Sequence, residues 1–196
     1  MIVCVYGASS PRIDDSYINA VEILGETLAK RGHNLVYGCG SSGLMGAAAR
    51  GFKKGGGKVH GVIPHFFEEN GYEAIFYDSD KITRTDTMAD RKEIMENTCN
   101  AFIVVPGGVG TFEELFQILT LKQLGRHNKA IALFNINGYF DDFAKMLKGV
   151  AEKQFMSDAC NDLYKIFSSS DEIVDYIENY KEALPSWDTL KIGKKD

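Results

Sequence analysis

Two adjacent glutamates, Glu113 and Glu114, stand directly after a glycine-rich turn. The turn reads Pro-Gly-Gly-Val-Gly-Thr at residues 106–111 and follows an apolar run at residues 101–105. Glycines between a strand and a helix leave backbone N–H groups free at the positive end of the helix dipole, which favours an anion such as phosphate. The residues therefore predict a phosphate cradle with carboxylates beside it.

The two glutamates occupy different positions around the predicted helix, because each helical residue advances about 100°. Glu114 falls near Ile118 at the edge of the apolar arc, whereas Glu113 shares a stripe with Gln117. One interpretation is a capping box, in which Thr111 caps the helix and Glu114 bonds back to the Thr111 N–H. The other is catalytic: a ribose 5-phosphate that loses its base becomes oxocarbenium-like, and a nearby carboxylate stabilises that positive charge.

A second polar cluster, Thr-Met-Ala-Asp-Arg-Lys at residues 87–92, begins the helix before this strand. Arg91 and Lys92 could form an ordinary solvated face that pairs with surface acids. Placed beside the cradle, the guanidinium could instead bind phosphate through two parallel hydrogen bonds or stabilise a departing purine. The residues alone leave both interpretations open.

A second glycine turn, Gly-Cys-Gly-Ser-Ser-Gly at residues 38–43, fits the dinucleotide fingerprint as a string. The fingerprint also needs an acid at the end of the next strand, but that strand ends Val-Ile-Pro-His at residues 62–65. A nicotinamide or flavin site is therefore disfavoured. The turn serves either tight packing of a helix on the sheet or direct contact with a ligand. No turn closes with Gly-Lys-Ser/Thr, so a Walker A motif is absent.

The bulk properties exclude several partners. A net charge of -5 provides no basic surplus for nucleic acid, and no apolar run approaches the roughly 18 residues that span a bilayer. The four cysteines show no paired spacing, and the chain begins without a signal-like segment, which predicts reduced thiols in the cytoplasm. The 196 residues favour one domain, assigned to residues 1–184, followed by a tail at 185–196.

Short apolar runs alternate with segments of helical spacing, which predicts an α/β fold: a doubly wound, Rossmann-like, mostly parallel sheet with helices on both faces. The predicted strands are 2–6, 34–37, 59–63, 101–105, 130–134 and 163–167. The predicted helices are 15–30, 44–54, 87–98, 112–124, 139–153 and 171–181. Ligands of such folds bind at the carboxyl ends of the strands, where the glycine turns lie. Residues 66–86 are expected to form a long connection with a strand near 74–77, and its length suggests a pocket wall or a flap.

The two clusters together resemble the LOG (Lonely Guy) family, cytokinin riboside 5′-monophosphate phosphoribohydrolases once widely mislabelled lysine decarboxylases. The family signature Pro-Gly-Gly-x-Gly-Thr-x-x-Glu is matched in full at residues 106–114, and Met-x-x-Arg-Lys is matched at 88–92. The likeness runs from residue 1 to about 138. Cys39 stands where the family commonly has glycine, Ala89 where it often has histidine, and residues 66–86 differ in length and composition from typical members.

The resemblance implies that Arg91 and Glu114 are catalytic: Glu114 would stabilise the oxocarbenium ion and orient water, and Arg91 would bind substrate and favour departure of the base. The expected substrate-binding residues are Ser9, Met88, Lys92, Gly107, Gly108, Val109, Gly110, Thr111, Phe112, Glu113 and Thr120. Family members need no metal or organic cofactor and are commonly homodimers.

The sequence therefore predicts a hydrolase of N-glycosyl bonds. It would convert AMP or an N6-substituted AMP to the free base and ribose 5-phosphate. The alternative is a non-catalytic nucleotide- or molybdenum-cofactor-binding carrier, which needs the cradle but has no obvious use for Arg91 together with Glu114. A decarboxylase that uses pyridoxal phosphate is a distant third, since no lysine lies in a context that marks a Schiff base.

Overall fold

The computed structural model describes residues 1–181 and residue 190. Strands and helices alternate from the first strand onward. The strands are β1 (Ile2–Tyr6), β2 (Asn34–Tyr37), β3 (Val59–Pro64), β4 (Lys81–Thr85), β5 (Ala101–Val104), β6 (Ala130–Phe134) and β7 (Lys165–Phe167). The helices are α1 (Asp15–Lys30), α2 (Gly43–Lys54), α3 (His65–Glu69), α4 (Met88–Thr98), α5 (Val109–Gln123), α6 (Asp141–Glu152) and α7 (Ser170–Glu178).

The seven strands form one parallel sheet in the order β4-β3-β2-β1-β5-β6-β7. The order reverses at β1, so the carboxyl ends of β1 and β5 border the crevice where such folds bind ligands. Neighbouring residues of a strand face opposite layers: Val3 packs under α1, α2 and α7, whereas Cys4 faces the layer of α4, α5 and α6. This arrangement confirms the predicted doubly wound α/β fold.

The structure of residues 66–86 differs from the sequence prediction. No strand forms at residues 74–77, where Ile75 makes only an isolated bridge to Gly40. The true strand is β4, which pairs only with β3 at the sheet edge and fully buries only its last residue, Thr85. An edge strand needs no continuous apolar run, and β4 contains Lys81 and Arg84, so the pattern of burial that identified the other strands was missing. The short helix α3 was also missed.

Helix α5 begins at Val109, three residues before the predicted start. Gly110 and Thr111 therefore lie within its first turn. In the predicted tail, Leu190 is buried in the core layer of α5 and α6, and the Cys160 thiol contacts its carbonyl oxygen at 3.8 Å. The rest of the predicted tail, and residues 182–184 of the predicted domain, lie outside the described residues. No helix in the described part of the chain is long and apolar enough to cross a bilayer.

Candidate active site

The predicted cradle is the junction between β5 and α5. Gly108 is the N-cap and supplies no side-chain cap, and Phe112 N–H donates the first helical bond, to Gly108 O at 3.1 Å. The N–H groups of Val109, Gly110 and Thr111 precede that bond, so the helix itself offers them no acceptor. They converge at the positive end of the α5 dipole, which is suited to an anion.

The structure gives different reasons for the presence of glycine at the three glycine positions of this turn. A Cβ on Gly107 would lie 2.1 Å from Thr111 Oγ1, so Gly107 is needed for the fold of the turn itself. A Cβ on Gly108 or Gly110 would meet nothing within 4 Å, and neither residue has a left-handed backbone. Both glycines line the cavity described below. The space in front of them is therefore open to a ligand that approaches the backbone.

The capping-box interpretation of Thr111 and Glu114 is wrong, because the helix starts too early for Thr111 to be its N-cap. A capping box forms instead at α4. Asp90 N–H donates to Thr87 Oγ1 at 3.1 Å, and Thr87 N–H donates to Asp90 Oδ2 at 3.2 Å. This box fixes the first turn of α4 and with it the position of Arg91.

Arg91 is buried rather than part of a solvated face, with 4% of its surface exposed. Its Nε donates to Val62 O at 3.1 Å, and its Nη2 donates to Gly38 O at 2.8 Å. The guanidinium carbon lies 5.5 Å from the centre of the Phe67 ring. Nη1 contacts only the sulfur of Met88, at 3.8 Å, among the described residues. Because a guanidinium has five N–H donors, the group is anchored at one side and keeps donors for a ligand.

The carboxyl group of Glu114 faces the same cavity from α5. Its pKa is raised to about 7, and burial is the largest cause. The negative charges of Glu113 and Glu73 contribute to the rise, whereas the positive charges of Arg91 and Lys92 oppose it. A carboxyl group that titrates near neutral pH can hold or release a proton under ordinary conditions. Glu113 and Glu114 thus have the different surroundings that the helical positions predicted, since Glu113 is exposed.

These groups surround one cavity of about 380 Å³. Eight of the thirteen predicted site residues line it, from α4, from the cradle and from the loop after β1. The predicted residues that line the cavity are Ser9, Met88, Arg91, Gly108, Gly110, Thr111, Glu113 and Glu114. The cavity thus brings the two predicted clusters together, although they are separated in sequence by a whole strand.

The other five predicted residues are placed differently. Lys92 Nζ forms an ion pair with Glu113 Oε1 at 2.5 Å, so its charge is held at the rim. Phe112 packs among aromatic rings, stacked with Phe143 at 5.9 Å. Gly107 borders a neighbouring apolar cavity of about 360 Å³. Val109 and Thr120 do not line the cavity: Val109 is 88% exposed, and Thr120 is exposed near the far end of α5.

The rest of the cavity wall is formed by residues that were not predicted from the sequence. These are Gly7, Ala8, Ser10, Met45, Phe67 and Glu73. Glu73 is the most consequential, because its Oε1 is buried and has no hydrogen-bond partner among the described residues. Burial raises its pKa, and Arg91 and Ser9 lower it. The signal available beforehand was the prediction that residues 66–86 form a pocket wall, which Phe67 and Glu73 confirm.

The second glycine turn makes room for these side chains. A Cβ on Gly38 would lie 1.8 Å from Arg91 Nη2, and a Cβ on Gly40 would lie 2.6 Å from Glu73 Oε1. The glycines of this turn thus make room for two side chains of the cavity, while none of residues 38–43 lines the cavity itself. Cys39 has a φ of 69°, in the left-handed region that favours glycine.

The fold and the cavity define a Rossmann-like α/β protein with an anion cradle and a titratable carboxyl group at the carboxyl ends of its strands. The comparisons specify the family. A family model described as possible lysine decarboxylase matches residues 45–177. The chain belongs to this family, together with the LOG phosphoribohydrolases.

Relatives with assigned names share about a third of the sequence. A probable cytokinin riboside 5′-monophosphate phosphoribohydrolase of Oryza sativa subsp. japonica is 36% identical over 181 residues, which cover 91% of this chain and 72% of the relative. The cytokinin riboside 5′-monophosphate phosphoribohydrolase of Mycobacterium tuberculosis is 37% identical over 182 residues, which cover 93% of this chain and 90% of the relative.

Solved structures show the same fold at lower identity. The molybdenum cofactor carrier protein of Chlamydomonas reinhardtii has a TM-score of 0.69 and 23% identity, with 90% of this chain and 95% of that chain covered. The molybdenum cofactor binding protein of Rippkaea orientalis has a TM-score of 0.68 and 21% identity, with 90% and 94% covered. At this identity the likeness extends to the fold alone.

Proposed function

We propose that this chain is an N-glycosidase that hydrolyses a nucleoside 5′-monophosphate to the free base and ribose 5-phosphate. The substrate class is AMP or an N6-substituted AMP, as in a cytokinin riboside 5′-monophosphate. The observation that carries the proposal is the single cavity where the free N–H groups of α5, the Arg91 guanidinium and the Glu114 carboxyl group meet. The names of the relatives at 36% and 37% identity support the reaction.

In this mechanism the 5′-phosphate binds the N–H groups of Gly110 and Thr111 at the start of α5. The bond between the anomeric carbon and the base nitrogen breaks, its electron pair leaves with the base, and the sugar becomes positively charged. Ionised Glu114 stabilises that charge and accepts a proton from the attacking water. The water oxygen forms the new bond to the anomeric carbon, the departing base takes up a proton from solvent, and the proton that Glu114 accepted is returned to solvent.

Arg91 acts on the substrate through the donors that its two backbone contacts leave free. Because Val62 O and Gly38 O fix one edge of the guanidinium, little side-chain freedom is lost when the opposite edge binds. Its positive charge also keeps part of Glu114 ionised at neutral pH. Arg91 therefore both binds the nucleotide and maintains the reactive form of the acid.

We further propose a cytoplasmic homodimer. The support for association is apolar surface along α5, where Val109, Phe116 and Leu124 are 88%, 41% and 49% exposed. The support for the compartment is that all four cysteines are free. Light scattering of the purified protein at several concentrations tests the dimer, and a single monomeric mass would contradict it.

The function is tested by incubating purified protein with AMP, N6-isopentenyl-AMP and the other common monophosphates without added cofactor. Release of a free purine with equimolar ribose 5-phosphate is expected. Glu114→Gln should abolish turnover while nucleotide binding is nearly retained, and Glu93→Gln, an exposed acid on α4, should behave like the wild type. Absence of turnover on every monophosphate, together with a molybdopterin that co-purifies, would favour a carrier instead.

A further inference from the structure

Tyr6, the last residue of β1, has a hydroxyl group that is buried without a hydrogen-bond partner among the described residues. The side chain is 1% exposed, and the next residue, Gly7, lines the cavity. A buried tyrosine hydroxyl usually has a partner, because an unpaired polar group in the protein interior is unfavourable. An unpaired donor beside a reactive site therefore calls for an explanation in terms of that site.

The position of the Tyr6 ring is fixed by its neighbours. Tyr6 faces the layer of α4 and α5, where its ring stacks on Phe102 with centroids 6.0 Å apart and planes inclined by 13°. It belongs to the same core cluster as Leu115, the residue that follows Glu114 on α5. Because the ring is held, the remaining freedom is rotation of the hydroxyl hydrogen, which can turn to an acceptor.

Titratable and charged groups on several elements act on Tyr6 and Glu114. The pKa of Tyr6 is raised by burial, by the charges of Cys4, Glu114 and Glu96, and by a side-chain contact with the Cys4 thiol, which is a weak hydrogen-bonding group. The groups whose charges act on Glu114 are Arg91 and Lys92 on α4, Glu113 on α5, and Glu73 from the connection before β4. Tyr6 adds an uncharged hydrogen-bond donor to the groups around Glu114. Such a donor can bind the carboxylate without adding another charge to the site.

We propose that Tyr6 is a positioning residue for Glu114: its hydroxyl donates a hydrogen bond to the ionised carboxylate, directly or through one water, when the site is in its reactive form. The inference rests on the proposed function. The bond orients the carboxylate toward the anomeric carbon. It also favours the ionised form, because a hydrogen bond donated to a carboxylate stabilises the charged state. Tyr6 does not touch the substrate.

The test is the titration of Glu114 in the intact protein. The side-chain carboxyl carbons of glutamate are labelled with ¹³C, and the Glu114 signal is assigned by its loss in Glu114→Gln. In Tyr6→Phe, the pKa of Glu114 is expected to rise by about one unit, the size of one hydrogen bond to a charged group. With AMP as substrate, kcat at pH 6 should fall about 10-fold for the same reason, and KM should change little.

The matched control is Tyr37→Phe. Tyr37 at the end of β2 is also fully buried and also has an unpartnered hydroxyl, but it lies in the opposite layer, under α1 and α2. The Tyr37→Phe substitution should leave the pKa of Glu114 unchanged. An unaltered Glu114 signal in Tyr6→Phe, or an equal shift in both variants, would overturn the inference. The NMR titration needs no turnover, so a wild type that fails to hydrolyse AMP would defeat the proposed function without deciding the role of Tyr6.

Discussion

Arg91 Nη2 lies 2.8 Å from Gly38 O, at a place that the side chain of any other residue at position 38 would occupy. Arg91 is a residue of α4, and its guanidinium group is inserted into the turn after β2. One residue therefore links β3 to the turn after β2 and presents its remaining donors to the cavity. The anchoring of the turn and the donors that face the cavity therefore belong to the same side chain.

Arg91→Lys is expected to lower the free energy of unfolding by about 2 kcal/mol, because an ammonium cannot reproduce the two separate bonds to Val62 O and Gly38 O. Turnover should fall as well, since the fork that holds the substrate is lost. Urea unfolding and AMP hydrolysis measure the two effects. Arg126→Lys, at an exposed arginine, should change stability by less than about 0.5 kcal/mol. A fully stable Arg91→Lys would contradict the anchoring role.

The rate of AMP hydrolysis should depend on the ionisation of Glu114. Because burial raises the pKa of Glu114 to about 7, the carboxylate form is lost as the pH falls through that value. We expect kcat/KM to be constant above about pH 8 and to fall about tenfold per pH unit on the acid side of pH 7. A pH profile from 5 to 9 measures this. A rate that stays flat between pH 6 and 8 would rule out ionised Glu114 as the reactive form.

The same raised pKa destabilises the folded protein at neutral pH. The pKa of Glu114 is about 7 when folded, against an ordinary value of 4.5, so the stability that this group contributes is present below pH 4.5 and is lost as the pH rises through 7. Glu114→Gln has no such titration. Its stability relative to the wild type should therefore increase between pH 5 and pH 8, by at most about 3 kcal/mol. Urea unfolding at both pH values measures the change, and an identical difference at both would contradict it.

Two alanine substitutions in the glycine turn should have opposite effects. Gly110→Ala adds a methyl group where nothing lies within 4 Å, so stability should be kept or raised by about 0.5 kcal/mol, but AMP should bind more weakly because the methyl group enters the cavity. Gly107→Ala would collide with the side chain of Thr111 and should cost about 1–3 kcal/mol. Thermal unfolding and calorimetric binding of AMP distinguish them. Destabilisation by both to the same extent would mean that the turn is built for folding alone.

Glu73→Gln should weaken AMP binding about 10-fold and leave the protein at least as stable. The buried Oε1 of Glu73 has no partner among the described residues, so a hydroxyl or amine of the ligand can bind it as a charged acceptor, and the amide of glutamine is weaker in that role. Calorimetry with AMP measures the loss. Glu69→Gln, an exposed acid of the same connection, serves as the control. Equal binding by Glu73→Gln and Glu69→Gln would remove Glu73 from the binding site.

The sequence by itself determined the layers of the fold and the two clusters of the site. Strands buried on both faces are read as continuous apolar runs, so β1, β2 and β6 were predicted to the residue. The glycine turn and the acid on α5 were likewise recognisable, because cradle and carboxylate are local features. The edge strand β4 was not predicted, because a strand at the sheet edge that buries few side chains needs no continuous apolar run.

Only the tertiary structure decided which groups face one another. Arg91 reaches the carbonyl oxygen of Gly38, a residue 53 positions away, and Glu73 folds over Gly40 from a connection without regular pattern. It also decided that Glu114 is buried enough to titrate near neutral pH, and that the capping box belongs to Thr87 rather than Thr111. These properties depend on burial and on distances between remote segments. Neither is encoded in the local spacing of residues.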